Sequence, residues 1–338
     1  MTNSALIGMS GGVDSSVAAH LMVKSGYACT GTMMKLFANE DIGRDSTNTC
    51  CTLDDADDAR AVADKLGIPF FVFNYVDCFR EQVISRFVSA YSRGHTPNPC
   101  IDCNRYVRFD MLLRRARELG LTNVVTGHYA RITYNAATGR HELKKGLDPA
   151  KDQSYMLYSL TQDVLAHTIF PLGAMHKPQV REIAQAQGFI NAKKRDSQDI
   201  CFVPDGDYPR FIERHTGVKS EKGNFIDVAG NILGEHRGVI HYTVGQRRGL
   251  GISAASPLYV IAVDPAQNTS YLFDNVQRKL ERNLSVRISD LDYDAFDLED
   301  VDALADLYNE RDERCCAVVT TSDNVRRMKP VAAASSYC

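Results

Sequence analysis

No stretch of this 338-residue chain approaches the ~20 consecutive apolar residues that a bilayer-spanning helix needs. Charge of one sign is equally scarce. Lys and Arg number 39 against 42 Asp and Glu, a net of −3 with a sequence pI near 6.3. No global field therefore draws in nucleic acid, and any such binding has to come from local patches. Met1, Thr2, Asn3 and Ser4 run directly into an apolar segment, which leaves no room for a signal peptide. Ten cysteines without a leader point to a reducing, cytoplasmic compartment, where thiols serve reactivity, metal binding or burial. No fixed-period repeat and no low-complexity tract is present. What remains is a chain long enough for two or three domains and a large core.

The most informative stretch is 5–16, ALIGMSGGVDSS. Ala5 to Met9 read as a short buried strand, Ser10-Gly11-Gly12 as a break, and the residues from Val13 onward as a helix by their apolar spacing. A strand, a glycine turn and a helix start gather free backbone N–H groups at the positive end of a helix dipole, which favours an anion, phosphate above all. Gly11 and Gly12 carry no Cβ, so the backbone can approach a ligand closely. Asp14 is out of place in an anion site unless a cation accompanies the anion, as Mg²⁺ does on a nucleotide. The plainer alternative is a glycine turn capped by Asp14 or Ser15. The stretch is neither a Walker loop nor a dinucleotide fingerprint. SGGVDS resembles instead the PP-loop of the N-type ATP pyrophosphatases, which adenylate a substrate and release pyrophosphate.

Further along, 28–36 reads as a second strand and 37–51 as a polar loop ending in Cys50-Cys51. Thr52-Leu53-Asp54-Asp55 has capping-box character before a helix that stops at Gly67. The run 69–75, PFFVFNY, reads as a strand of the fully buried kind, Asp77 as the cap of a helix to about residue 93, and 123–130 as another strand. Strands alternating with helices predict an α/β fold with a parallel sheet, whose ligand sits beyond the strand C-terminal ends. Residues 130–146 read as a hairpin, and 161–169 and 177–188 as helices. From about residue 217 short strands with glycine turns, including GVIHYTVGQRRGLG, predict a small β domain of barrel-like character. The expected division is 1–165 for the nucleotide domain, 166–216 for a small helical segment, 217–285 for the β region and 286–338 for an acidic tail. The closing strands of a barrel are not found after residue 285, so either the barrel is incomplete or the tail has another role.

Between the third and fourth strands lies HTPNPCIDCNRYVRF, in which Cys100 and Cys103 form a CxxC. Such a pair suits redox chemistry, half a zinc site or part of an iron–sulfur site. Zinc is the weakest of these, because no second CxxC or paired His follows at ligand spacing. Another relevant thiol is Cys201, in DSQDICF. Cations promote thiolate character, and Arg105 and Arg108 flank Cys103 while Lys193-Lys194-Arg195 precede Cys201. With Lys144, Lys145, Lys151, Arg247 and Arg248 they could form a track for RNA, each alone being an ordinary solvated charge.

SGGVDSS, TPNPCIDCN, TGHYAR, KDQSYML, DSQDICF and HYTVGQRRGLG, in this order over residues 5–275, are similar to the motifs of the tRNA-specific 2-thiouridylases. The resemblance implies that Gly8, Met9, Ser10, Gly11, Gly12, Val13, Asp14, Ser15, Met34 and Gly127 bind ATP with Mg²⁺. It implies that Asn98, Pro99 and Cys100 approach the target base and that His128, Lys151, Asp152 and Gln153 touch tRNA. Cys103 would be the nucleophile and Cys201 the persulfide carrier, loaded by a cysteine desulfurase or a sulfur-relay protein, with a Cys103–Cys201 disulfide left behind. The implied activity is ATP-dependent 2-thiolation of the wobble uridine of tRNA, with no membrane involved. Either the persulfide attacks C2 directly or Cys103 first releases hydrosulfide that does so; a [4Fe–4S] cluster on Cys100, Cys103 and Cys201 is the alternative sulfur route, and the persulfide route is favoured. The competing readings are a PP-loop ligase or amidotransferase adenylating a small carboxylate, and a non-catalytic tRNA-binding or sulfur-carrier protein.

Overall fold

The computed structural model describes residues 3–38, 41–42, 50–194, 196, 200–227 and 229–274. The acidic stretch 290–312, Cys315-Cys316, Cys338, Arg195 and residues 197–199 lie outside them, as do the side chains of Cys50 and Cys51. The chain divides into two compact units, Met1–Ser89 with Pro97–Thr216, and Ala90–Thr96 with Gly217–Cys338.

The first unit is built on β1 (Ser4–Gly8), α1 (Val13–Lys24), β2 (Ala28–Lys35), α2 (Cys50–Leu66) and β3 (Phe70–Asn74). Three helices, α3 (Val76–Phe79), α4 (Ser85–Ser92) and α5 (Pro99–Asp102), precede α6 (Phe109–Glu118) and β4 (Asn123–Val125). The hairpin β5 (Ala130–Asn135) and β6 (Arg140–Lys145) follows, then α7 (Gln162–Ala166), β7 (Thr168–Ile169), α8 (Lys177–Ala186) and α9 (Tyr208–Thr216). The sheet runs β3-β2-β1-β4-β7, and every neighbouring pair is parallel. Alternation along β1 explains why it sits in the middle. Ala5 and Ile7 enter one core with Val17, Val62 and Val180, while Leu6 enters the other with Phe109, Leu112 and Leu157. From β1 the chain winds one way to β2 and β3, then returns to place β4 on the other side. The C-terminal ends of β1 and β4 therefore flank the switch point where such sheets hold ligands.

The parallel α/β architecture is as expected, and several local readings need correction. Residues 70–74 are not a fully buried strand. β3 is the edge of the sheet, and Phe71 and Val72 are 48% and 45% exposed. Thr52 is not a cap, since α2 already begins at Cys50. Asp77 is not a cap either. Tyr75 holds that position, Asn74 Oδ1 accepts the Val76 N–H at 3.1 Å, and Asp77 pairs with Arg80 at 3.1 Å. The expected helix over 161–169 is one turn and a half, capped by Thr161, and Thr168–Ile169 leaves it to become the fifth strand because it pairs with β4.

The second unit carries a four-stranded sheet of β8 (Gly223–Ile226), β9 (Ile232–His236), β10 (Leu258–Asp264) and β11 (Thr269–Asp274), in the order β10-β11-β8-β9. Phe225, Tyr242, Leu250, Val260 and Leu272 form its core. GVIHYTVGQRRGLG is not a strand. It is one 3₁₀ turn, Val239–His241, and glycine-rich loop, with Gly245, Gly249 and Gly251 all at positive φ. No closed barrel is present among the described residues.

Candidate active site

Beyond Gly8 the chain turns into α1 under tight constraints. Met9 and Val13 are buried in the core, so residues 8–15 present mainly backbone and polar groups outward. Gly11 has φ 73°, and a Cβ there would collide with the backbone of Asp55 in α2. Gly12 is the N-cap of α1 and makes no side-chain cap. No side chain at the cap competes for the first-turn N–H groups, which are the groups that an anion at a helix N-terminus uses. Ser15 closes the loop, its hydroxyl accepting the Ser10 N–H and donating to the Gly12 carbonyl, both at 3.1 Å. The Asn191 amide braces it from beneath, donating to Gly11 O and Ser16 Oγ at 2.9 Å. Met34 is half-buried and packs against the Leu6 core.

Asp14 is held more firmly than its expected role as a metal contact suggests. Its carboxylate accepts the Tyr129 hydroxyl at 2.8 Å and the buried Lys177 ammonium at 2.8 and 2.7 Å. Lys177 also reaches Asp196 at 2.7 Å, and Asp196 takes Lys151 at 2.7 Å and Arg181 at 2.8 Å. Burial works against the Asp196 carboxylate, yet hydrogen bonds from Lys151 and Lys177 outweigh it and hold the group down to about 2. Tyr129 and Asp196 fall within TGHYAR and DSQDICF, where nothing marks them as belonging with Asp14, and Lys177 lies in none of the motifs. Lys177 reads in sequence only as the lysine before Pro178 at a helix start.

The segment Thr126-Gly127-His128-Tyr129, at the end of β4, joins this loop to the thiols. Gly127 lies so close to α1 that a Cβ would come within 2.8 Å of the Asp14 carbonyl carbon and 2.9 Å of the Ser15 nitrogen. His128 is buried against Phe109 and Phe170, with Nδ1 2.7 Å from the Thr126 hydroxyl and Nε2 3.3 Å from Arg108 Nη1. Burial first, and the neighbouring guanidinium second, lower its imidazole to about 3. His128 is therefore buried and neutral here. Lys151, Asp152 and Gln153 are also engaged internally. Asp152 Oδ1 accepts the N–H groups of Gly146 and Ser154, and Gln153 Oε1 accepts the Tyr129 N–H at 3.0 Å.

Asn98 caps α5, its Oδ1 accepting the Cys100 N–H at 3.1 Å, and Pro99 occupies the first turn. Cys100 is exposed and Cys103 buried. From Cys103 to Arg108 the helix widens into a π-helical stretch before α6, a feature that recurs at functional sites. Cys201 is brought to the same place by its neighbour. Phe202 is buried in an aromatic nest with ring centroids 5.6 Å from Phe79, 5.3 Å from Phe87 and 5.2 Å from Phe211. The three thiols lie close enough to act on one another's charge. Burial pushes the Cys103 thiol up, and it pushes Cys201 up to about 12 with the two other thiols adding to it. Cys201 reaches solvent even so, because protein crowds its flanks without covering it. Arg108 opposes the rise at all three. Lys194 is not a cation for Cys201, being tied to Asp55 at 2.5 Å and Asp58 at 2.6 Å on α2. Among the described residues the cysteines are free thiols, and no three metal-ligating side chains converge.

Two family models match the chain, the tRNA methyl transferase HUP domain over residues 3–205 and the tRNA methyl transferase PRC-barrel domain over residues 209–274. The chain is 48% identical over 275 residues to a tRNA-specific 2-thiouridylase MnmA of Clostridioides difficile, covering 81% of this chain and 76% of that one. It is 45% identical over 312 residues to the protein of that name from Lachnoclostridium phytofermentans, covering 92% and 87%. A 4-thiouridine synthetase solved with RNA and ATP aligns at a TM-score of 0.39 and 19% identity over 60% of this chain and 45% of that one, too weak a likeness to bear on function. On the extent of these sequence matches, the chain belongs to the family of the tRNA-specific 2-thiouridylases.

Proposed function

We propose that this protein is an ATP-dependent sulfurtransferase that converts the wobble uridine of tRNA to 2-thiouridine. The observation that carries the reading is the continuity of one segment. Gly127 lies against Asp14 and Ser15 of the nucleotide loop, and His128, next to it, holds the arginine that faces Cys100, Cys103 and Cys201. An adenylating loop and a thiol group are thus mechanically linked, as a reaction that activates a carbonyl and then replaces its oxygen by sulfur requires.

The C2 oxygen of uridine is a poor leaving group, and AMP transfer onto it with release of pyrophosphate makes it a good one. The backbone of residues 8–15 suits the phosphates. Asp14 is the carboxylate at the loop, and it fits an Mg²⁺ carried in on ATP provided Lys177 yields to that ion. With Cys201 carrying a persulfide from a cysteine desulfurase or relay protein, the terminal sulfur attacks C2 and expels AMP. Cys103, as thiolate, then attacks the Cys201 sulfur. The Cys103–Cys201 bond forms, the bond to the transferred sulfur breaks, and the thio-base leaves with the electron pair. An external dithiol must reduce the resulting disulfide.

The test is pyrophosphate release on unmodified tRNA. Release that depends on tRNA and persists in Cys103→Ser and Cys201→Ser supports separate adenylation and sulfur steps. Release with a small carboxylate in place of tRNA would favour a ligase, and methylated product formed from a methyl donor would favour methyl transfer.

A further inference from the structure

We propose that Arg108 is the cation that sulfur transfer uses, and that His128 is the positioning residue that holds it toward the thiols. The proposal rests on the reading of Cys103 and Cys201 as the sulfur-handling pair. Sequence marks Arg105 and Arg108 equally, and the structure separates them. Arg105 is exposed and its guanidinium lies over the Tyr106 ring at 5.0 Å. Arg108 is half-buried, with Nη1 donating to Asn104 Oδ1 at 3.1 Å and to His128 Nε2 at 3.3 Å.

Helix geometry supplies the alignment. In an α-helix residues five apart stand about 140° apart around the axis. Cys103 and Arg108 open and close the π-helical stretch Cys103–Arg108, whose i→i+5 bonding brings such residues back over one another. Asn104 is itself buried and donates to the Met156 carbonyl at 3.3 Å, so the acceptor that steadies Arg108 is fixed. For Arg108 to donate to Nε2, the proton of the neutral ring must be on Nδ1, donated to Thr126 Oγ1. Cys103 is faced by Arg108, Cys100, Asp102 and Cys78, and Cys201 by Cys103, Cys100 and Arg108. Among these Arg108 is the cation common to both. A guanidinium never gives up its proton, so it stays charged where sulfur turns anionic. Enclosure from water strengthens that effect.

The test uses the full chain, without ATP or tRNA for its first readout. Peptide mass spectrometry follows the rate of iodoacetamide labelling at Cys201 in wild type, Arg108→Gln, Arg108→Lys and His128→Leu. A nearby cation favours the thiolate, so Arg108→Gln should label about tenfold more slowly. Arg108→Lys should recover most of the rate, and His128→Leu should fall between. Thiolation should drop with labelling, while tRNA-dependent pyrophosphate release should fall far less. Wild-type labelling in Arg108→Gln overturns the proposal, as does pyrophosphate release that falls in step with thiolation. Circular dichroism of Arg108→Lys keeps the comparison on folded protein. If Cys103→Ser still thiolates, the underlying reading fails. If Cys103→Ser is inactive and Arg108→Gln behaves as wild type, only the role of Arg108 fails.

Discussion

Asp14 and His128 show how the same residue types become legible or illegible in sequence. Asp14 stands out there because an acid inside an anion loop asks for a cation. Its partners Tyr129 and Lys177 do not, because they arrive from positions 115 and 163 residues away. Asp14→Asn should abolish pyrophosphate release, with a modest loss of stability of about 1–3 kcal/mol, since Lys177 keeps Asp196. Wild-type release in the variant would make SGGVDS a structural turn. His128 makes a separate prediction about acid. Its imidazole sits at about 3 in the folded chain, against an ordinary value near 6.5. The unfolded chain therefore binds more protons between those values. The contribution of His128 is complete above about pH 6.5 and is lost steadily as pH falls toward 3, by a few kcal/mol in all. Urea unfolding at neutral pH and near pH 4.5 should show wild type losing more stability than His128→Gln over that interval. Equal losses would contradict a buried, neutral imidazole.

At the level of elements, the parallel sheet was readable from apolar runs and glycine stops, and its edge was not. PFFVFNY is as apolar as a central strand, yet β3 is terminal in the sheet. Local composition does not say how many neighbours a strand has. Arg60 and Arg115 lie 5.4 and 4.6 Å from the Phe70 and Phe73 ring centroids, which accounts for some of that aromatic surface. The two residues of β7 were unreadable for another reason: their strand character exists only through pairing with β4. The π-helical stretch after Cys103 left no sequence trace either. Gly127 tests how closely two elements must meet. Gly127→Ala drives a Cβ into the backbone of α1, where no flexible side chain can give way. A cost of about 1–3 kcal/mol is expected, with weakened ATP binding by calorimetry. Unchanged affinity and melting temperature would mean that β4 and α1 separate freely.

Over the whole molecule, the six ordered motifs made the family legible, while the pairing of distant charges was decided only by folding. Lys194 illustrates the difference, since its proximity to Cys201 in sequence gave way to Asp55 and Asp58. The acidic stretch 290–312 carries its own expectation. A chain lacking residues 290–338 should bind tRNA at low salt at least as tightly as the full chain, because a repulsive charge is removed. A loss of tenfold or more in a filter-binding titration would show that the stretch clamps tRNA. The central claim is tested most directly by nucleoside mass spectrometry of unmodified tRNA incubated with the protein, ATP and a persulfide donor. The account predicts 2-thiouridine that requires ATP and disappears in both Cys103→Ser and Cys201→Ser. Formation of 2-thiouridine at the wild-type level by either variant, or none from the wild-type protein, would contradict it.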